Sequence, residues 1–449
     1  MLRGRTRAWT LAAGFSIGDK VSGKSIRRER KTMKRHSIGV VLLAILSCNA
    51  VAAELALPEP SIFSFSGYGT LGLAHSSEHK ADFVNNDLQA RGAGRSRDWS
   101  AEVDSRIGAQ VSAQFTPQTS AVVQVTSEQR YDGTYAPAVE WANIKYAVTP
   151  DFSVRAGRIV LPNFLVSDYR KVGFANVWVR PPVEVYSLVP LTNSDGIDIS
   201  WRKRFGEVSN TVQLSYGTSS AKVPNGDMVS GEVSGKRGRG IFDTIEYGAA
   251  TLHFSYFLSD LTIGSYKPLA DGFRQFGAQG NAITDKYDPD NKPFSFIGVG
   301  GMYDPGKWFV AGEWGVIDTN SAFGKRAAWY ASGGYRIDKF TPYVSYARAS
   351  VKSNTSDPGL TVPPYYPLAT QQQAAALNSK LNQVLSNAPV QETISLGVRW
   401  DLARNTALKL QYDRSNNGAG SPGTLNNVQS GFTPGGIFNV FSITVDFLF

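Results

Sequence analysis

The 449-residue chain carries 46 Lys/Arg against 37 Asp/Glu, a formal charge of +9 that would suit a nucleic-acid partner. Residues 1–53 hold 11 of the basic and 2 of the acidic residues, so residues 54–449 carry 35 of each and no nucleic acid is expected. The single cysteine, Cys48, lies in the same leader, which removes a disulfide framework and a cysteine metal site from the mature chain.

In chain order, the leader comes first. Met33-Lys34-Arg35 supplies a short positive start, Ile38 to Leu46 an apolar run, and Ala50-Val51-Ala52-Ala53 a small-residue cleavage region. This is the pattern of a signal peptide over 33–53, cut after Ala52 or Ala53. Residues 1–32 are basic and aperiodic, and read as a start placed too early, with Met33 the initiator. The remaining 54–449 is expected to be one domain, although its length alone would allow two or three.

No stretch after residue 53 approaches the ~18–20 continuous apolar residues of a membrane helix. Period-2 alternation appears instead, in segments of roughly ten residues. In "DSRIGAQVSAQF", Ile107, Ala109, Val111, Ala113 and Phe115 share one face, while Asp104, Arg106, Gln110, Ser112 and Gln114 share the other. "DGIDISWRKR", "NTVQLSYG" and "ALKLQYD" split in the same way. Strands are expected at 62–75, 99–116, 119–128, 137–148, 151–158, 196–204, 208–217, 241–247, 250–257, 294–304, 307–317, 326–337, 339–350, 391–402, 405–415 and 437–449. Even-numbered strands end in tight links such as Pro117-Gln118, Gly248-Ala249 and Pro305-Gly306. Odd-numbered strands lead mostly into long excursions, at 76–98, 159–195, 218–240, 258–293, 351–390 and 416–436. Loops sorted by length to opposite ends, with Arg, Lys, Gln and Asp on the polar faces, fit an all-β transmembrane antiparallel barrel of about 16 strands with short periplasmic turns and long extracellular loops. A secreted sandwich has no reason to sort its loops.

The last segment, "NVFSITVDFLF", fits the same scheme. Backbone groups in hydrocarbon must all be paired, so this strand is expected to close against "SFSGYGTLGLA". Phe441, Ile443, Val445, Phe447 and Phe449 would then face lipid with Phe63, Phe65, Leu71 and Leu73, while Ser442, Thr444 and Asp446 face inward.

A cleaved signal, sixteen inferred strands, a long third loop and a terminal "TVDFLF" together resemble a Gram-negative outer-membrane porin over essentially all of 54–449. The third loop lacks the Pro-Glu-Phe-Gly-Gly-Asp-like sequence of the best-known enterobacterial members. The resemblance implies passive diffusion of small hydrophilic solutes through a homotrimer in the outer membrane of a Gram-negative bacterium. Its implied partners are outer-membrane lipid, lipopolysaccharide and the insertion machinery that reads a terminal strand ending in Phe449. No cofactor or metal is expected.

The resemblance also implies a third loop folded into the pore. Residues 163–196 are long and apolar for a solvated loop, with Phe164, Tyr169, Phe174, Trp178 and Tyr186 as packing material and Pro181-Pro182 stiffening the middle. Asp168, Arg170, Lys171, Arg180 and Glu184 are then candidates for the pore constriction, facing Arg106, Lys145, Arg155, Arg202, Arg399 and Lys409 on the wall. Charged rings set ion preference in narrow pores, and the basic surplus on inner faces tilts the expectation toward anions. Some of these charges could instead pair with one another or with Asp104, Asp198 and Glu140. In 369–387, Leu377, Leu381, Val384 and Leu385 recur at helical spacing, which predicts a short amphipathic helix that caps its loop or lines a vestibule.

Several enzyme-like motifs match by letter alone. "GYGTLG" carries Gly67, Gly69 and Gly72, yet lies within an alternating strand with no helix after it. "GMYDPGK" puts Trp308 where a phosphate-binding loop needs Ser or Thr. "GFSIG", with Ser16, lies in the leader. An enzymatic barrel would need His beside Ser or Asp at its rim; His75, His79 and His253 are the mature chain's histidines, and the first two flank Ser76, Ser77 and Glu78 in the first external loop. A plugged structural or adhesin barrel would share every strand pattern.

Overall fold

The computed structural model describes residues 62–224, 231–418 and 420–449, so the expected leader lies outside the described residues. Phe65–Phe449 form one compact unit. Sixteen long strands build it: β1 Phe63–Ser76, β2 Arg106–Gln114, β3 Thr119–Glu128, β4 Ala138–Ala147, β5 Phe152–Val160, β6 Asn193–Phe205, β7 Val208–Val223, β8 Gly231–Tyr247, β9 Ala250–Ile263, β10 Lys292–Tyr303, β11 Trp308–Thr319, β12 Lys325–Tyr335, β13 Phe340–Val351, β14 Gln391–Ala403, β15 Thr406–Asn417 and β16 Ile437–Leu448. Each is antiparallel to the next, and β16 returns to β1 with a register from Tyr68↔Leu448 to Ser76↔Val440, so the sheet is closed.

Closure is a backbone requirement met at the last residue. Gly67 N–H donates to Phe449 O at 2.7 Å, and Phe449 N–H donates to Gly67 O at 3.0 Å. Gly67 and Gly69 are bare because the rings of Phe449 and Phe447 lie across them, where a Cβ would meet ring carbons at 2.3 and 2.4 Å. Aromatic rings covering strand glycines bury surface that the glycine leaves open.

Alternation sorts every strand. On β15, Ala407, Lys409, Gln411, Asp413 and Ser415 are buried inward, while Tyr412 and Arg414 are exposed outward. The outward face carries Tyr247, Tyr303, Trp308, Tyr335, Phe340 and Trp400 near the short turns, and Tyr256, Trp314, Trp329, Tyr412 and Phe441 nearer the long loops. Two aromatic girdles bounding an aliphatic band are the signature of a barrel spanning lipid.

Several boundaries depart from the sequence expectation. β7 and β8 extend far into the segment read as a loop at 218–240, because pairing resumes after a bulge at Gly217/Ser219 and continues to Val223↔Gly231. The strand expected from residue 99 begins at Arg106; Trp99–Ser100 pairs briefly with Ala74 and His75, and the chain then turns through 101–104. The loop after β9 holds two helices that glycine-broken periodicity concealed. With α1 (Val183–Tyr186) in the third loop, these are α2 (Lys267–Arg274) and α3 (Gly277–Tyr287). The helix expected in the penultimate loop is α4, Leu368–Ser386. It packs Leu381 and Leu385 with Phe273 of α2 and Ile283 of α3. Lys286 Nζ and Tyr287 Oη both bond Asp357 Oδ2, at 2.8 and 2.6 Å, and pin the cluster to the loop leading into α4.

Gly157 is the position on β5 where no other residue fits. Its φ is +125°, and a Cβ there would lie 2.3 Å from the Ala142 carbonyl oxygen on β4. Gly157→Ala is expected to destabilise the folded barrel by about 1–3 kcal/mol. A lower urea midpoint for loss of the heat-modifiable band on electrophoresis would show it, and an unchanged midpoint would mean that the backbone relaxes freely.

Candidate functional site

The segment between β5 and β6, residues 161–192 and here called L3, runs inside the barrel. Its sequence explains why: it is too apolar to remain in water and too stiff, at Pro181-Pro182, to collapse on itself. Two single turns, Ser167–Tyr169 and Gly173–Ala175, and the short helix α1 fold it into a compact strap. Phe164, Trp178, Val185, Tyr186 and Leu188 pack against an inner wall made by Phe242, Phe257, Phe296, Phe309, Tyr330 and Tyr343, one from each of β8 to β13. Inward phenylalanines on a porous barrel would be wetted and costly; here they are the floor on which the loop rests.

Polar groups lock the strap where the rings end. Tyr186 and Tyr330 both donate to Glu313 Oε1, and Glu313 Oε2 accepts the Leu165 N–H at 2.8 Å. Trp178 Nε1 donates to Ser332 Oγ at 2.8 Å. His253 Nε2 donates to Pro162 O at 2.8 Å.

Four of the charges expected at the constriction belong to this lock, and the pairing alternative is seen directly in Arg180 with Asp104, Arg155 with Asp198 and Lys171 with Glu140. Lys409, fully buried, donates to the carbonyls of Gly173 and Trp178 at 2.7 and 2.8 Å and pairs with Asp446 at 2.8 Å. Arg180 forks onto Asp104 at 2.9 and 2.6 Å, and reaches Asp413 at 3.2 Å and Ser442 at 2.7 Å. Arg399 donates to the carbonyls of Phe174 and Asn176 at 2.6 and 3.0 Å and is balanced by Asp401. Glu184 is buried, accepting from Gln391 at 2.7 Å and from Thr393. Burial pushes its carboxyl pKa up, and those hydrogen bonds offset only part of the shift. For Lys409 and Arg399, period 2 says which face the side chain occupies and the strap then covers it, whereas Arg180 and Glu184 belong to the strap and are turned against the wall.

The other candidates stay nearer water. Arg155 pairs with Asp198 at 2.7 Å. Arg202, toward the periplasmic rim, is exposed and pairs with Glu246 at 2.8 Å. Lys145 is exposed between Ser120 and Arg155 in the ladder. Asp168 is exposed on L3 and has no ion pair among the described residues. Lys171 bridges Glu128 and Glu140 at 2.6 and 2.8 Å, and Arg106 lies 3.7 Å from the same Glu128. Burial alone would lower the Lys171 pKa, but the two carboxylates outweigh it and hold the ammonium well above its ordinary range.

Arg170 differs from these. Its guanidinium lies 5.0 Å from the Tyr186 ring and donates to Tyr186 O at 3.0 Å, with no carboxylate partner among the described residues. It borders a cavity of about 250 Å³ between L3 and the wall of β2 to β7, lined also by Arg130, Tyr131 and Lys222. Lys222 sits 5.4 Å from the Tyr131 ring and Arg130 5.8 Å from it. Neither was among the sequence candidates. Ending β7 at Gly217 leaves Lys222 in a loop, whereas the alternation through "TSSAKV" was the signal that would have carried the strand to it.

The sequence matches the family described as Gram-negative porin over residues 39–420. No curated protein matches. Among solved structures, the anion-selective porin from Comamonas acidovorans aligns at 13% identity and TM-score 0.50, over 86% of this chain and 99% of its own. The outer-membrane channel DcaP of Acinetobacter baumannii aligns at 10% identity and TM-score 0.51, over 88% of this chain and 99% of its own. At such identities the likeness is one of fold. A closed ladder, a strap in its lumen and a family match over most of the length lead to one conclusion: the chain belongs to the Gram-negative porin family, outer-membrane channels for passive diffusion of small hydrophilic solutes.

Proposed function

We propose that this porin prefers small anions, and that the preference resides in the open side of the lumen opposite the L3 packing wall. The observation that carries this is the pairing state of the cavity lining. Glu128 and Glu140 are already engaged by Lys171, whereas Arg170, Arg130 and Lys222 have no carboxylate partner among the described residues. Unpaired cations bordering a narrow aqueous path raise the local anion concentration, because low-dielectric walls focus their field. The name of the Comamonas structure, an anion-selective porin, accords with this reading. Arg155, Arg202 and Lys145 are assigned a lesser share, since the first two are matched by carboxylates and the third stands near the periplasmic exit.

A homotrimer is part of the proposal. The outward residues of β2 to β5 include Ala109, Ala113, Ala121, Ala142 and Ala156 among larger ones such as Ile107, Val123 and Ile144, whereas Trp and Tyr side chains mark the outward face of β11 to β14. Arg158 and Asp195 pair at 2.7 Å on the same outward side, where exposure to hydrocarbon would be costly. A second copy of the barrel covers such a surface better than lipid does. The terminal strand with Phe449 is assigned to recognition by the insertion machinery.

A channel role is also favoured over catalysis. His75 is stacked on Trp99 and bonded to Asp98, and His253 is buried under L3 on Pro162 and Thr244, so neither is bonded to a serine.

In planar bilayers under a salt gradient, the wild-type protein is expected to give ohmic steps with a reversal potential of the anion-selective sign. Arg170→Gln with Arg130→Gln should move that potential toward zero or past it; an unmoved potential would sink the proposed location. Lys409→Met leaves Asp446 buried without its cation, at a cost of about 3–5 kcal/mol. It should free L3 from the wall, giving larger, noisier single-channel steps and a lower unfolding midpoint, whereas unchanged steps would mean that the aromatic packing suffices. Ala142→Trp should convert trimers to monomers in mild detergent by sedimentation, and a variant that stays trimeric would move the interface elsewhere.

A further inference from the structure

We propose that the extracellular mouth of the barrel holds a binding site for a zwitterionic solute of amino-acid or short-peptide size, its ammonium on Asp87 and its carboxylate on Arg326. This rests on the channel fold and not on the proposed ion preference. A cavity of about 550 Å³ lies there, walled by the loops that follow β1, β9, β11, β13 and β15, and Ser187 of L3 borders it from within the barrel. Its size falls within the range of small-molecule sites.

Two opposite charges border this cavity, and neither is paired. Asp87 is exposed in the loop after β1, and its carboxylate has no ion pair or hydrogen bond among the described residues. Arg326, the second residue of β12, shares the inward parity of Ala328 and Tyr330. Its Nε donates to Phe323 O at 2.9 Å and its guanidinium lies 4.8 Å from the Phe323 ring, while its terminal nitrogens have no partner among the described residues. Arg326 exerts the largest attraction on the Asp87 carboxylate, yet the two stand beyond ion-pair distance.

Both charges are fixed in place. Asp82 and Asn426 exchange backbone hydrogen bonds at 2.7 and 2.9 Å, and Asn427 Nδ2 donates to Asp82 Oδ2 at 2.7 Å and to Ala90 O at 2.9 Å, so the last loop holds the Asp87 segment from both sides. Arg326 is set by the ladder, between Ile317 and Val351. A simple anion drawn to Arg326 is opposed by Asp87, and a simple cation on Asp87 is opposed by Arg326. A molecule that carries both charges is favoured at each end. Guanidinium meets a carboxylate through two parallel N–H donors, and the Asp87 carboxylate accepts from an ammonium. The rest of the wall suits an amide and a side chain. The Tyr266 and Ser187 hydroxyls and the side-chain amide of Asn387 have no hydrogen-bond partner among the described residues. The rings of Tyr266 and Phe323, with centroids 5.6 Å apart, give an apolar shelf.

The test uses the refolded barrel in planar bilayers at about pH 7 and fixed salt, where the ammonium of a dipeptide is charged. Burial pushes the Asp87 carboxyl pKa up to about 6, which leaves it charged there as well. Glycyl-phenylalanine is added on the side of the extracellular loops, and block of the ion current is the readout. Wild type should bind the dipeptide about fivefold more tightly than its N-acetyl form, which lacks the ammonium, and about fivefold more tightly than its C-terminal amide, which lacks the carboxylate. Asp87→Asn should erase the first ratio and Arg326→Gln the second, each leaving the other in place. Heat-modifiability establishes that a variant is folded, and the two ratios in the wild type need no variant at all. Equal block by all three peptides would overturn the site, as would block by the N-acetyl form equal to that by the dipeptide, which marks a plain anion site. Ratios that survive both substitutions would overturn its location. Each reading is a ratio at one salt concentration, so it stands whether or not the reversal potential has the anion-selective sign.

Discussion

Everything in this molecule depends on one constraint: in hydrocarbon no backbone N–H or C=O can be left without a partner. A sheet satisfies it only by having no edge. β1 and β16 must therefore meet, and in their register the rings of Phe447 and Phe449 lie over Gly69 and Gly67. Once the ladder is closed, period 2 divides every strand between lipid and lumen. The inward row of β16, Ser442, Thr444 and Asp446, is then available as wall for whatever fills the barrel.

What fills it is L3, and the loop makes the lumen two-sided. On one side, aromatic side chains from β8 to β13 meet Phe164, Trp178 and Tyr186 in a dry core. Its polar margin is drawn from loop carbonyls held by Lys409 and Arg399 of the wall and from Arg180 of the loop held by wall carboxylates, so all three cations function as fasteners. The opposite side, along β2 to β7, holds the cavity bordered by Arg170, Arg130 and Lys222. A large share of the charged inner face is thus used to hold the constriction still, which a diffusion channel needs because a strap free to move would make pore size fluctuate. Buried ion pairs are weak contributors to net stability but strong enforcers of geometry when one partner's loss strands the other.

The barrel was legible in the sequence almost strand for strand, because alternation and loop length are imposed by lipid and water on each segment separately. The facing of Phe441, Asp446, Arg399 and Lys409 was legible for the same reason. What is not local was not legible. Nothing near Lys409 in sequence says that Gly173 and Trp178 lie above it, and their separation along the chain exceeds 230 residues. Lys222 was hidden by a bulge that broke the period and α2 and α3 by glycines, while α4 showed its leucines plainly. Composition counted the basic residues correctly but could not separate fastened cations from free ones, and only the free ones influence a passing ion.

The outside of the barrel has a comparable division. Alanines on β2 to β5 offer a surface that gains from close approach of another rigid body. Trp and Tyr on β10 to β14 instead offer rings that adapt to the disorder of lipid. The ionic residues follow the same partition. Arg158 is matched by Asp195 beside the shallow face, where an unmatched charge would oppose association with a like copy. Arg414 is exposed on β15 opposite Ile394 and has no ion pair among the described residues. Pairing of Arg158 with Asp195 is what desolvation demands of an outward charge, so this exterior pair obeys the same rule that closes the sheet.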